Sequence, residues 1–107
     1  MTASRVRAKI VAERASWVKA MLSGLRALPL DSLDHFLADP RTPAAAESYL
    51  RRALEALLDL GRHVLAKGLG RATSEYKEVG AVLVEEGVLS ASDGRRMRQL
   101  AGYRNRM

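Results

Sequence analysis

Arg104 lies seven residues after Met97 and four after Leu100, so on a helix it shares the apolar stripe of Met97, Leu100 and Ala101. A guanidinium on a packing face needs a partner, because an unpaired buried charge is strongly destabilising. The natural candidates are Glu55 and Asp59, which belong to a ladder at four-residue spacing: Arg51, Glu55, Asp59, His63. Two readings of that ladder are open. It forms a solvated stripe of favourable i,i+4 pairs, with Arg104 in a purely architectural ion pair. Alternatively, Glu55 and Asp59 line an interior or interface cleft that Arg104 addresses. The chemistry open to a fixed arginine is recognition of an anion, because its planar fork donates charge-assisted hydrogen bonds to phosphate oxygens. Arg95, Arg98 and Arg106 project from other faces of the same helix as solvated charge.

Other chemistries are excluded by what is missing. With no cysteine, there is no disulfide framework, thiolate zinc site or cysteine nucleophile. His35 and His63 are far apart in sequence, so no protein-built metal site and no cofactor are expected. His63 reads as a satisfied helix residue beside Asp59, and His35 as a surface residue. Gly68-Leu69-Gly70 follows a helix and lacks a third glycine, which argues against a dinucleotide site.

The elements that must position these residues are all helical. Residues 4–28 carry two neighbouring stripes: Val6, Ile10, Trp17, Met21 and Leu28, then Val11, Ala15, Val18, Leu22 and Leu25. Pro29 stops this helix. Asp31 and Ser32 cap a short helix holding Leu33, Phe36 and Leu37. Thr42-Pro43 opens a second long helix, with the Thr42 hydroxyl as N-cap and a proline in the first turn. It runs to about Lys67, where Gly68-Leu69-Gly70 ends it, and from Tyr49 to Leu65 it is apolar nearly all round. That pattern describes a central helix packed on several sides. A third begins at Ser74, with Tyr76, Val79 and Leu83 on one face, and closes at Gly87; Ser90 with Asp93 resembles a capping box that starts the fourth. No run alternates as a half-buried strand would. The expected fold is an all-α, mostly antiparallel bundle of four main helices plus one short helix, in a single domain over residues 1–107.

A hydrophobic content of 48% suffices for a core, and no window approaches the ~18 consecutive apolar residues of a membrane helix. The start of the chain has no apolar signal core, so a cytoplasmic, soluble protein without membrane contact is expected. The net charge of +6 and pI near 10.3 favour anionic partners, RNA above all. The charge is concentrated at the ends. Arg5, Arg7, Lys9, Arg14, Lys19 and Arg26 face only Glu13 in residues 3–28, and Arg95, Arg96, Arg98, Arg104 and Arg106 face no acid in residues 94–107.

The run Leu100-Ala101-Gly102-Tyr103-Arg104-Asn105-Arg106-Met107 resembles the segment leading into the catalytic motif of HepT-type proteins of the HEPN superfamily. Phe36-Leu37-Ala38-Asp39-Pro40 resembles that family's short segment between its first two long helices. Leu54 to His63 resembles its central helix, and Gly87-Val88-Leu89 its approach to the motif helix. The likeness covers essentially the whole chain in order and spacing.

The resemblance implies a homodimeric helical endoribonuclease acting as a toxin without a metal. Its motif residues from two protomers would meet in a cleft at the dimer interface. A minimal nucleotidyltransferase (MNT) antitoxin would neutralise it by blocking or by adding AMP to a motif tyrosine. Carried onto this sequence, Arg104 is the motif arginine and Asn105 its companion, with Glu55 and Asp59 as cleft residues; Arg95, Arg98 and Arg106 form an RNA-binding surface. The family's histidine, tyrosine and final helix would lie beyond Met107, so a longer natural protein is expected. An alternative is a non-catalytic helical partner, or substrate-binding subunit, of a minimal nucleotidyltransferase. A third is a basic RNA-binding adaptor using Arg95, Arg96, Arg98 and Arg106, for which Arg104 would matter no more than Arg98.

Overall fold

The computed structural model describes residues 8–107. Val6 of the first apolar stripe, and Arg5 and Arg7 of the basic amino-terminal set, lie outside the described residues. The elements are α1 (Ala8–Arg26), α2 (Leu33–Leu37), α3 (Arg41–His63), a π-helical turn at Val64–Gly68, α4 (Tyr76–Glu85) and α5 (Ala91–Arg106). Among the described residues there is no strand, and the fold is an all-α bundle of four main helices and one short one. No helix among them is long and apolar enough to cross a membrane.

Local chemistry explains most of the boundaries. Ser32 accepts the His35 N–H at 3.1 Å to start α2, while Asp31 pairs with the His35 Nδ1 at 2.8 Å. The start of α3 differs from expectation. The helix begins at Arg41, and it is the Asp39 carboxylate that accepts the Arg41 N–H, at 2.9 Å. Thr42 is one residue inside and buried, so its hydroxyl caps nothing. Ser90 caps α5 by accepting the Asp93 N–H at 3.1 Å, but Asp93 turns its carboxylate to Arg96 at 2.7 Å, so only half of a capping box forms.

At the end of α4, Gly87 has φ +75, and the Gly87 and Val88 amides bond back to the Val84 and Leu83 carbonyls. This is a Schellman stop, and only glycine takes that backbone without strain. The helix ending near Lys67 does so as a π turn, in which Leu65 and Gly68 are both buried. Nothing in the sequence marks that change of winding.

The core lies where α3, α4 and α5 meet. Leu58, Leu65, Val79, Leu83, Met97 and Ala101 form one buried cluster, with Leu58, Leu65, Val79 and Ala101 fully enclosed. α1 runs along the other side of α3, with Tyr49 lying against Gly24. Its apolar face is only partly covered: Met21 is its one buried residue, Ile10, Val11, Val18, Leu22 and Leu25 are half-buried, and Trp17 is 49% exposed. The molecule is accordingly elongated, 53 × 26 × 21 Å.

Candidate active site

Arg104 occupies the last turn of α5, where a cation is favoured by the helix dipole. Met97 and Ala101 of the same stripe are buried beneath it, and Leu100 is half-buried. The expected ion pair with Glu55 is present: Arg104 Nη2 lies 3.4 Å from Glu55 Oε1, with both side chains a little over one third exposed. At that exposure the pair contributes at most about 1 kcal/mol to stability. The guanidinium also lies over the Tyr76 ring, 5.0 Å from its centroid. Its Nε is buried and has no hydrogen-bond partner in the protein. The arginine is therefore held by a carboxylate and a ring while one of its donors goes unused.

Asp59 departs from the expected pairing with Arg104. Its Oδ1 accepts a 2.7 Å hydrogen bond from the Tyr76 hydroxyl and lies 3.9 Å from Arg62 Nη1. One turn beyond Glu55 on α3, Asp59 is engaged by Tyr76 at the start of α4 instead. The ladder is not a self-paired stripe either, since Arg51 pairs backwards with Glu47. His63, read as satisfied, has a buried Nε2 with no partner. His35 is exposed, as expected.

Sequence reasoning missed Tyr76 and Arg62. Tyr76 reads as one more residue of the Val79–Leu83 stripe, yet it organises the site: Arg104 and Arg62 both lie over its ring, the latter at 5.3 Å, and its hydroxyl fixes Asp59. A tyrosine on a packing face needs a partner for its hydroxyl, and that requirement was the available signal. For Arg62 the signal was its spacing of seven residues from Glu55 and three from Asp59.

These side chains border an open polar recess of about 580 Å³ lined by Arg62, Ser74, Glu75, Tyr76, Lys77, Arg104 and Asn105. The loop forming one wall is tied down by Arg71, which reaches Glu85 at 3.1 Å and Glu86 at 3.2 Å. Asn105 is exposed and shares this recess with Arg104. Of the three arginines read as an RNA surface, Arg98 and Arg106 border a neighbouring pocket that shares Lys77 with the recess. Arg95 instead lines a groove between α4 and α5 with Ala81, Val84 and Arg98. Met107 stands 41% exposed, off the packing stripe, because the core beneath α5 ends at Ala101. No three His, Asp or Glu side chains among the described residues gather closely enough to hold a metal ion.

Burial raises the Tyr76 hydroxyl above its usual pKa of 10.0, and the Asp59 carboxylate beside it adds to the effect, while Arg104 and Arg62 oppose it. A folded-state pKa above the unfolded one means that this group's stabilisation is complete below about pH 10 and is lost as pH rises through the raised value. Thermal melts between about pH 9 and pH 11 are therefore expected to show a steeper alkaline loss for the parent than for Tyr76→Phe. Parallel curves would remove the assignment.

The site thus offers a positioned guanidinium, a shared basic recess and an exposed amide on one helix end. No curated protein and no solved structure matches the chain. A family model described as ribonuclease HepT-like does match it, over residues 19–107. That span takes in the end of α1 and every later element, and the chain belongs to the HepT-like family of HEPN-type, ribonuclease-related proteins.

Proposed function

We propose that this protein is the toxin of a HEPN/MNT pair, a cytoplasmic homodimeric endoribonuclease that cleaves RNA without a metal and is neutralised by a minimal nucleotidyltransferase. The observation that carries the reading is the half-exposed Arg104 guanidinium, which Glu55 and Tyr76 hold at the edge of the basic recess it shares with Asn105.

In such a cleavage the ribose 2′-oxygen forms a bond to phosphorus as the bond to the 5′-oxygen breaks. The 2′-hydroxyl proton leaves to a base, and the departing 5′-oxygen gains one from an acid. The phosphate becomes more anionic in between, and preorganised donors aimed at it lower the barrier. Arg104 supplies that charge and Asn105 a neutral donor beside it. Glu55 and Tyr76 orient Arg104, and Asp59 orients Tyr76. Proton transfer belongs, by the family motif, to a histidine separated from Arg104 by four to six intervening residues. Arg98 and Arg106 hold flanking phosphates.

Expression of the natural protein in a bacterial host tests the pairing. Growth arrest with RNA degradation, relieved when a cognate minimal nucleotidyltransferase is co-expressed and absent for Arg104→Ala, is the expected result. Unimpaired growth with intact RNA would overturn the toxin reading.

A further inference from the structure

Beside the Arg104 recess, and outside the roles assigned so far, Tyr103 presents a large aromatic surface to solvent. Its residue is 55% exposed, and the Arg106 guanidinium lies over the ring, 4.9 Å from the centroid. The ring borders a pocket of about 240 Å³ lined by Lys77, Arg98, Gln99, Gly102, Tyr103 and Arg106. Three of those six residues are cationic and none is acidic. The volume falls below the roughly 300–1,000 Å³ of pockets for drug-sized ligands, which suits a single flat group.

Gly102 is buried toward the end of α5 and forms part of the pocket wall. The Arg106 side chain passes beside it, lying along the helix toward the Tyr103 ring. Because Tyr103 and Arg104 are consecutive on a helix, ring and guanidinium face directions about 100° apart. Lys77 borders both the Tyr103 pocket and the Arg104 recess, so the two are neighbours.

We propose that the Tyr103 ring, framed by Lys77, Arg98 and Arg106, is a base-stacking subsite for single-stranded RNA, adjoining the phosphate position at Arg104. The proposal rests on the ribonuclease reading and adds the class of RNA. An aromatic face surrounded by cations is how proteins grip single strands, since every base has a face to stack and every phosphate a charge to neutralise. A base inside an A-form duplex has no free face to offer, so the subsite discriminates against paired RNA. Gln99 places an amide at the pocket wall, able both to donate to and to accept from a base edge.

The test is fluorescence anisotropy with the natural protein and a labelled 2′-O-methyl RNA of about twelve nucleotides, single-stranded or annealed to its complement; the methyl group blocks cleavage. Tyr103→Ala is expected to weaken single-strand binding by about tenfold and duplex binding by less than about twofold. Tyr103→Phe keeps the ring and restores single-strand affinity. Arg98→Gln weakens both ligands and lowers the salt slope by about one. Because Tyr103 is exposed, a melting curve suffices to show that the variants fold.

Equal effects of Tyr103→Ala on both RNAs, or no effect on either, would overturn the subsite. So would unchanged RNA binding with lost capture of a minimal nucleotidyltransferase, which would make the ring a protein contact. Cleavage that depends on Arg104, with binding indifferent to Tyr103, keeps the ribonuclease reading and removes this one. Tyr103-dependent binding of single strands without cleavage keeps the subsite and removes the ribonuclease.

Discussion

Arg104→Ala is expected to slow RNA cleavage by the natural protein about 10²–10³-fold, the usual cost of removing one preorganised donor to a developing anion. Fold stability should move far less. The contact with Glu55 is 3.4 Å long between side chains that are each more than one third exposed, and such pairs contribute about 0–1 kcal/mol. The contact with the Tyr76 ring adds a similar amount. A loss near 1 kcal/mol corresponds to about 4–8 °C in a domain of this size. Arg104→Lys is not expected to restore the rate, because a point charge on a flexible stem lacks the planar fork that Glu55 and Tyr76 orient. Single-turnover cleavage beside a thermal melt reads both quantities. A variant that melts normally and cleaves at the parent rate would show that Arg104 is architecture alone.

Gly80→Ala should produce the largest loss of stability of any single methyl addition to α4. Helix propensity predicts the reverse, since alanine is favoured over glycine by about 1 kcal/mol in a helix interior. Packing decides the sign. A Cβ at position 80 would stand 2.6 Å from the Gly94 carbonyl oxygen and 3.1 Å from Met97 Cβ. A backbone carbonyl cannot rotate aside, so α4 and α5 must separate. Gly94 makes the reciprocal approach, with its own added Cβ 3.2 Å from the Gly80 carbonyl and colliding with Val84. Overpacking of this kind costs about 1–3 kcal/mol even after relaxation. A fall in melting temperature of roughly 8–16 °C is expected for a net loss near 2 kcal/mol. An unchanged or raised melting temperature would mean that the crossing is looser than described. The same displacement would move Met97, and with it the turn that carries Arg104, so cleavage should fall along with stability.

The sequence pattern carried the site's main axis because helix spacing is local. Met97, Leu100 and Ala101 place Arg104 on a packing face without any knowledge of the neighbour, and a carboxylate ladder on the central helix supplies the partner. The partners of Asp59 and Tyr76 were hidden for the opposite reason. Which turn of α3 meets which helix depends on how α3 packs on α4 and α5, where Gly61 admits Val79, Leu83 and Met97 against it, and no single helix shows that alone. Thr42 misled because a hydroxyl before a proline resembles a cap, whereas the Asp39 carboxylate reaches the free amide first. The π turn after His63 left no mark in the sequence, since a wider winding follows from competition among tertiary contacts. Trp17 misled in another way: periodicity shows that a face is apolar, but not whether anything covers it.

The uneven anchoring of α1 has a consequence for how the molecule opens. Residues 8–20 contribute no fully buried side chain, since Ile10, Val11, Ala15 and Val18 are half-buried and Met21 is the one buried residue of the helix, whereas Leu58, Val79 and Leu83 are enclosed on every side. Segments with few buried apolar contacts open at a free energy well below that of global unfolding. Amide protons in the first half of α1 therefore exchange with solvent through a local event, while those around Leu58 wait for the whole domain to unfold. The protein carries two protection levels in one short chain, and the groups around Arg104 are built on the more durable one.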